Sequence, residues 1–171
     1  MKRRDLCGAA IAGAALMAGG TATGAETQAS KADKILNAWV DAWNREDLDA
    51  MFALFTPDAH WVNIVGMHWQ GRDAVETAHR VYFEIMFRGV KQKLIATESI
   101  MPLPEGGAVV VARLAVDAFR QPNGLVKPPS EDRLTLVMVP RGNDLAIVHG
   151  ANVAIVAEAQ QHDPMAGKPE M

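Results

Sequence analysis

Trp61 and Asn63 stand two residues apart in Trp61-Val62-Asn63, a stretch that reads as a strand, so both side chains face one side. A ring beside an amide offers a wall for an apolar molecule and a group that orients its polar end. His79 sits on the inward face of a predicted helix, with Val75 and Phe83 one turn to either side. An imidazole in such surroundings stays neutral near pH 7 and can shuttle a proton. The same position also suits a core histidine hydrogen-bonded to a neighbour. Tyr82, the single tyrosine, lies on the same helix. Arg113 shares a strand face with Val111, Ala115 and Asp117. It can orient a ligand carboxylate or carbonyl, or it can form an ion pair at the rim with Asp117 or with Glu131 of the next strand, because an unpaired buried charge is costly. Asn152 follows His149-Gly150-Ala151 in the last predicted strand. Asn disfavours strand interiors, so it needs a partner there, either a ligand or a backbone group.

The elements that must carry these residues follow from periodicity. Helix spacing over 31–44 repeats Ile35, Leu36, Trp39, Val40 and Trp43, a broad apolar face suited to covering a sheet. A second helix over 48–55 starts at Asp47 as N-cap and stops at Pro57. A third over 72–87 turns Val75, His79 and Tyr82 inward, and pairs Glu76 with Arg80 and Glu84 with Arg88 on its solvated side. After Gly89 the pattern changes to four strand-length stretches, 91–101, 107–119, 130–140 and 144–156, separated by Pro, Gly and Asn turns. Helices followed by a curled antiparallel sheet make an α+β fold, a cone with an interior cavity. Within the last strand, the alternation sets His149 opposite Asn152, on a face shared with Leu145, Ile147, Val153 and Ile155. That face is too apolar for water and suggests sheet-to-sheet dimerisation.

The flanks read differently. Lys2, Arg3 and Arg4, an Ala/Gly-rich run over 8–18, and Thr23-Gly24-Ala25 make an export signal over 1–25. Arg3-Arg4-Asp5-Leu6 is of twin-arginine type, with the Sec route as the alternative. The expected location is periplasmic or secreted. Residues 158–171 read as a flexible tail. The net charge is −3, and removing the signal takes three basic residues and one acid with it. A mildly acidic chain without a basic run carries no footprint for nucleic acid. Cys7, the single cysteine, falls within the signal, so the exported chain has no thiolate nucleophile and no cysteine metal site. The histidines lack ligand spacing, and there is no phosphate-cradling glycine loop or dinucleotide fingerprint, so no metal and no cofactor is expected.

Ala42-Trp43-Asn44, Asp47 with Met51 and Leu54-Phe55, Pro57-Asp58-Ala59, Trp61-x-Asn63, Gly71-Arg72-x-Ala74-Val75 and four following strands together resemble the nuclear transport factor 2-like superfamily. The match is nearest its SnoaL-like branch, which also holds the SgcJ/EcaC-type proteins, and it spans residues 31–157. The resemblance implies the cone fold, commonly dimeric, but not one activity, since the fold hosts isomerases, cyclases, epoxide hydrolases and plain binding domains. Trp61-x-Asn63 resembles the aromatic-x-Asn pair that positions water in limonene epoxide hydrolases, and Arg113 matches their arginine. Ala115 and Asn152 stand where those enzymes place carboxylates, which disfavours epoxide hydrolysis unless a bulge brings Asp117 into register. Ketosteroid isomerases carry their tyrosine on the first helix, whereas Tyr82 is on the third. The expectation is therefore a cavity lined by Trp61, Asn63, His79, Tyr82, Arg113 and Asn152, holding a small apolar or carbonyl-bearing ligand. One alternative is a cofactor-free isomerase, cyclase or dehydratase with His79 as acid/base. Another is a dimeric interaction module without catalysis.

Overall fold

Thr27 caps the first helix, its side chain accepting from the Ser30 N–H, and α1 then runs Gln28–Arg45, three residues ahead of the expected start. Glu46 ends it in the left-handed conformation, and Asp47 caps the short α2 (Leu48–Phe52) by accepting from Ala50 N–H. The computed structural model describes residues 26–165; residues 1–25, where an export signal is expected, and residues 166–171 lie outside them. The next elements are β1 (Phe55–Val62), β2 (His68–Gln70) and α3 (Arg72–Tyr82), which continues into a π-helical turn over Phe83–Phe87. There follow β3 (Gln92–Pro102), β4 (Ala108–Val116), a small hairpin of β5 (Phe119–Arg120) and β6 (Val126–Lys127), β7 (Ser130–Arg141), β8 (Asp144–Ala154) and α4 (Ala157–Gln160).

The main sheet has the order β2-β1-β8-β7-β4-β3. Helices against one face of a curved sheet make the expected α+β cone. Two details differ. The sheet is mixed, because β1 pairs with β8 in parallel. And Pro57 does not end a helix: it lies inside β1, where the pairing with β8 breaks between Phe55 and His60, a place that tolerates a residue without an N–H.

The concave face packs on α1. Val110, Ala112 and Leu114 of β4, Leu134, Leu136 and Met138 of β7, and Leu145 and Ile147 of β8 form a core with Leu36 and Trp39. Asn44 clips α1 to β3, accepting from Gln92 N–H and donating to Gln92 C=O, each at 2.8 Å. The break in register between Val137 and Met138 opposes His149 and Ile147 of β8 to consecutive residues of β7, leaving Val148 as a bulge. This corrects the parity expected for β8. Leu145 and Ile147 point into the core with Asn152, while His149 and Val153 remain on the outer face. The case for dimerisation made from one continuous apolar row therefore loses Leu145 and Ile147.

Candidate functional site

Strand alternation turns Trp61 inward, and its cross-strand partner Trp69 comes with it. Trp61 stacks on Trp39 of α1, with ring centroids 5.1 Å apart and planes 17° from parallel. Its other side lies flat on β8 at Gly150. A Cβ at that position would come within 2.2 Å of the Trp61 ring, so the glycine is what admits the indole. The rings do not fill the cone. A cavity of about 370 Å³ lies between the helices and the sheet, walled by Trp39, Trp43, Trp61, Trp69, Tyr82 and Phe87. Leu114, Val116 and Leu134 form its floor on the sheet, and Phe119 and Lys127 of the small hairpin border it. Lys127 Nζ stands 5.6 Å from the Phe119 ring centroid, and Phe119 in turn meets Phe87 at 5.0 Å.

Five of the six residues singled out in the sequence line this cavity: Trp61, Asn63, His79, Tyr82 and Asn152. Their surroundings narrow what each can do. Asn63 Oδ1 accepts from Val65 N–H at 3.1 Å and Met67 N–H at 2.8 Å, closing the β1–β2 turn. Its carbonyl oxygen is thus occupied in structure. Tyr82 O–H donates to Met67 Sδ at 3.2 Å. His79 Nδ1 lies 2.8 Å from the Val75 carbonyl, which fixes that nitrogen as the donor. Four rings surround the imidazole: Phe52 and Trp61 at 5.3 Å, Trp69 at 5.7 Å and Trp39 at 6.1 Å. Burial pushes its pKa down to about 4, against the smaller upward pull of the Val75 hydrogen bond. A base that weak is poorly matched to proton transfer at neutral pH.

Arg113 does not join the others. Ala112, Leu114 and Val116 hold the inward positions of β4, so Arg113 falls on the outer face, 3.8 Å from Glu98 and 3.6 Å from Glu131. The idea that Asn63 and Arg113 face one interior is therefore corrected. An ion pair with Glu131, on the outer face of the sheet, is what the geometry shows. Asp117 offers no substitute carboxylate, since β4 pairs with β7 without a break and ends at Val116.

The polar group that sequence reasoning missed is Asp132. It is only 8% exposed and lines the cavity beside Asn152. Asn152 Nδ2 donates to its Oδ2 at 3.5 Å, while Oδ1 is buried with no hydrogen-bond partner. Burial raises its pKa above the ordinary carboxylate value, opposed by the charge of Lys127 and by the Asn152 hydrogen bond. A signal for it existed: Asp132 has the parity of Leu134, Leu136 and Met138, which makes it an acid in an inward apolar row.

The family model for the SnoaL-like domain matches residues 36–139. A protein of cystatin-like fold from Caulobacter vibrioides is 33% identical with a TM-score of 0.77, covering 81% of this chain and 96% of its own. A ketosteroid isomerase-like protein from Erwinia carotovora atroseptica shares the fold at 15% identity and a TM-score of 0.60, over 72% of this chain and 93% of its own. An NTF-2 like protein from Shewanella oneidensis does so at 19% identity and 0.57, over 73% and 98%. No curated protein matches the chain. The matched span takes in the second half of α1, the indole wall and most of the sheet, and the chain belongs to the family of SnoaL-like domains.

Proposed function

We propose that the chain binds a small, largely apolar molecule inside the cone, with Asp132 and Asn152 as its polar anchor. The observation that carries this reading is a cavity of about 370 Å³ whose aromatic walls enclose a buried, unpartnered carboxylate oxygen. Apolar walls supply affinity through burial of ligand surface, and a few polar groups fix orientation. An orphaned buried oxygen costs roughly 1–3 kcal/mol, which a ligand hydroxyl or carbonyl offsets: a hydroxyl serves either protonation state of Asp132, a carbonyl the protonated one. Fluorescence titration with N-phenyl-1-naphthylamine, a neutral apolar probe, tests the reading. Saturable one-to-one binding that is abolished by Val116→Trp, which fills the cavity, supports it. Absence of saturable binding by the wild-type protein sinks it.

A second reading is cofactor-free proton transfer on that ligand, an isomerisation, cyclisation or dehydration. The observation favouring it is a buried carboxyl in an apolar-walled cavity, where burial raises the Asp132 pKa above its ordinary value, the direction that suits a carboxylic acid to carrying a proton. The ketosteroid isomerase-like neighbour is compatible with it at the level of fold only. Asp132 is then the acid/base group in preference to His79. Asp132→Asn should abolish turnover and leave probe binding within about tenfold. Loss of both together would point to a purely binding role.

Export is part of the proposal, supported by the basic, apolar and small-residue order of residues 1–25. N-terminal sequencing of the protein recovered from a periplasmic fraction, starting near Glu26, tests it.

A further inference from the structure

His60, His68 and His149 stand on three adjacent strands, on the outer face of the sheet and away from the cavity. Trp61 points inward, so His60 points outward from β1, and across the parallel pair its register partner on β8 is His149. His68 on β2 is opposite Val62, one diagonal step from His60. His60 Nδ1 and His68 Nε2 are 3.0 Å apart, with ring centroids at 5.2 Å. The register neighbours on this face, Val62, Gln70, Val137 and Ala151, are uncharged, and the exposed Asp58 stands two residues before His60 on the same side of β1.

Two imidazole nitrogens at this distance share one hydrogen bond or present two lone pairs to one cation. Tetrahedral zinc, with bonds of about 2.0–2.1 Å to nitrogen, sets its ligands about 3.3 Å apart. Exchanging the shared proton for an ion then requires only a few tenths of an ångström. Among the described residues no set of three His, Cys, Asp or Glu side chains already stands at coordinating distance. His149 must turn toward the pair. Adjacent strands lie about 4.8 Å apart, well within the reach of an imidazole.

We propose that His60, His68 and His149 form a surface site for a divalent transition-metal ion, three nitrogens from three strands with the fourth position open. An all-imidazole donor set selects zinc, copper or nickel over magnesium or calcium, which prefer oxygen. The histidines lie eight residues apart in one hairpin and then far away in the last strand, so only the parallel β1–β8 pairing assembles them.

Isothermal titration of the full chain with zinc chloride at pH 7.5, with cobalt(II) absorption as a second readout, tests the site. The expected result is one ion per chain with a Kd below about 10 μM. His68→Gln and His149→Gln should each weaken binding at least tenfold, His162→Gln in the exposed C-terminal segment should not, and bound cobalt should give the intense visible bands of a four-coordinate ion. A wild-type Kd above about 100 μM overturns the proposal. Undiminished binding by His149→Gln overturns the three-histidine site, and equal loss in His162→Gln assigns the binding to scattered surface histidines instead.

Discussion

His79 makes a quantitative prediction about stability and pH. Its pKa is about 4 in the folded protein against 6.5 for a free imidazole. The folded state resists protonation and the unfolded state does not, so between these values the unfolded chain holds more protons. Stability therefore rises with pH across this window. The contribution is intact above pH 6.5 and is lost as pH falls toward 4. At 1.36 kcal/mol per pKa unit the full loss is about 3 kcal/mol, and by pH 5 it is about 2 kcal/mol. Urea denaturation followed by tryptophan fluorescence reads this directly, because Trp39, Trp61 and Trp69 all touch the imidazole. The comparison is with His79→Gln, whose amide can still donate to the Val75 carbonyl but does not titrate. Its stability at pH 7.5 should be lower than wild type. Its further loss between pH 7.5 and pH 5 should be about 2 kcal/mol smaller. Taking the difference removes the other groups: His149, whose lowered pKa acts in the same direction, and Asp132, whose raised pKa acts in the opposite one. If both proteins lose the same stability over this interval, to within about 0.5 kcal/mol, the burial argument for a neutral His79 is refuted.

Gly150→Ala should displace the Trp61 ring, cost about 1–3 kcal/mol or more, and abolish probe binding, as seen in the near-ultraviolet circular dichroism of the indoles; a wild-type Tm with intact binding would contradict the account of how Trp61 is seated. Asp132→Asn removes a poorly solvated charge while keeping the shape, so the variant should match or exceed wild-type stability at pH 7.5. Because the folded pKa of Asp132 is raised, its ionisation opposes folding as pH climbs past the ordinary carboxylate value, and the variant's advantage should shrink as pH falls toward that value and be gone below it. Arg113→Ala should change stability by under about 1 kcal/mol and leave N-phenyl-1-naphthylamine affinity unchanged; a tenfold loss of affinity would return Arg113 to the cavity.

Most of the architecture is legible in the residues themselves. The three-to-four spacing of Ile35, Leu36, Trp39 and Trp43 requires a helix lying on a sheet, Asp47 marks where the next one starts, and the turn residues after Gly89 separate four strands. Alternation also places Trp61 and Asn152 correctly, because each lies in a strand whose two faces differ in polarity. It fails where both faces are equally apolar. In β4 the row Ala112-Leu114-Val116 and the row Val111-Arg113-Ala115 are near equals, so nothing local says which one the helices cover. That choice belongs to the whole core, and it sends Arg113 outward. Parity also fails across a bulge: one extra residue at Val148 reverses the relation between Ile147 and His149. And no sequence spacing announces that β1 lies parallel to β8, the pairing that seats Trp61 on Gly150 and sets His60 beside His149. The sequence by itself determined most of the elements and the apolar face of the long helices, because those follow from local periodicity. Tertiary packing alone decided which strand face became interior, and so made Asp132 the cavity's buried acid and left Arg113 on the outer face.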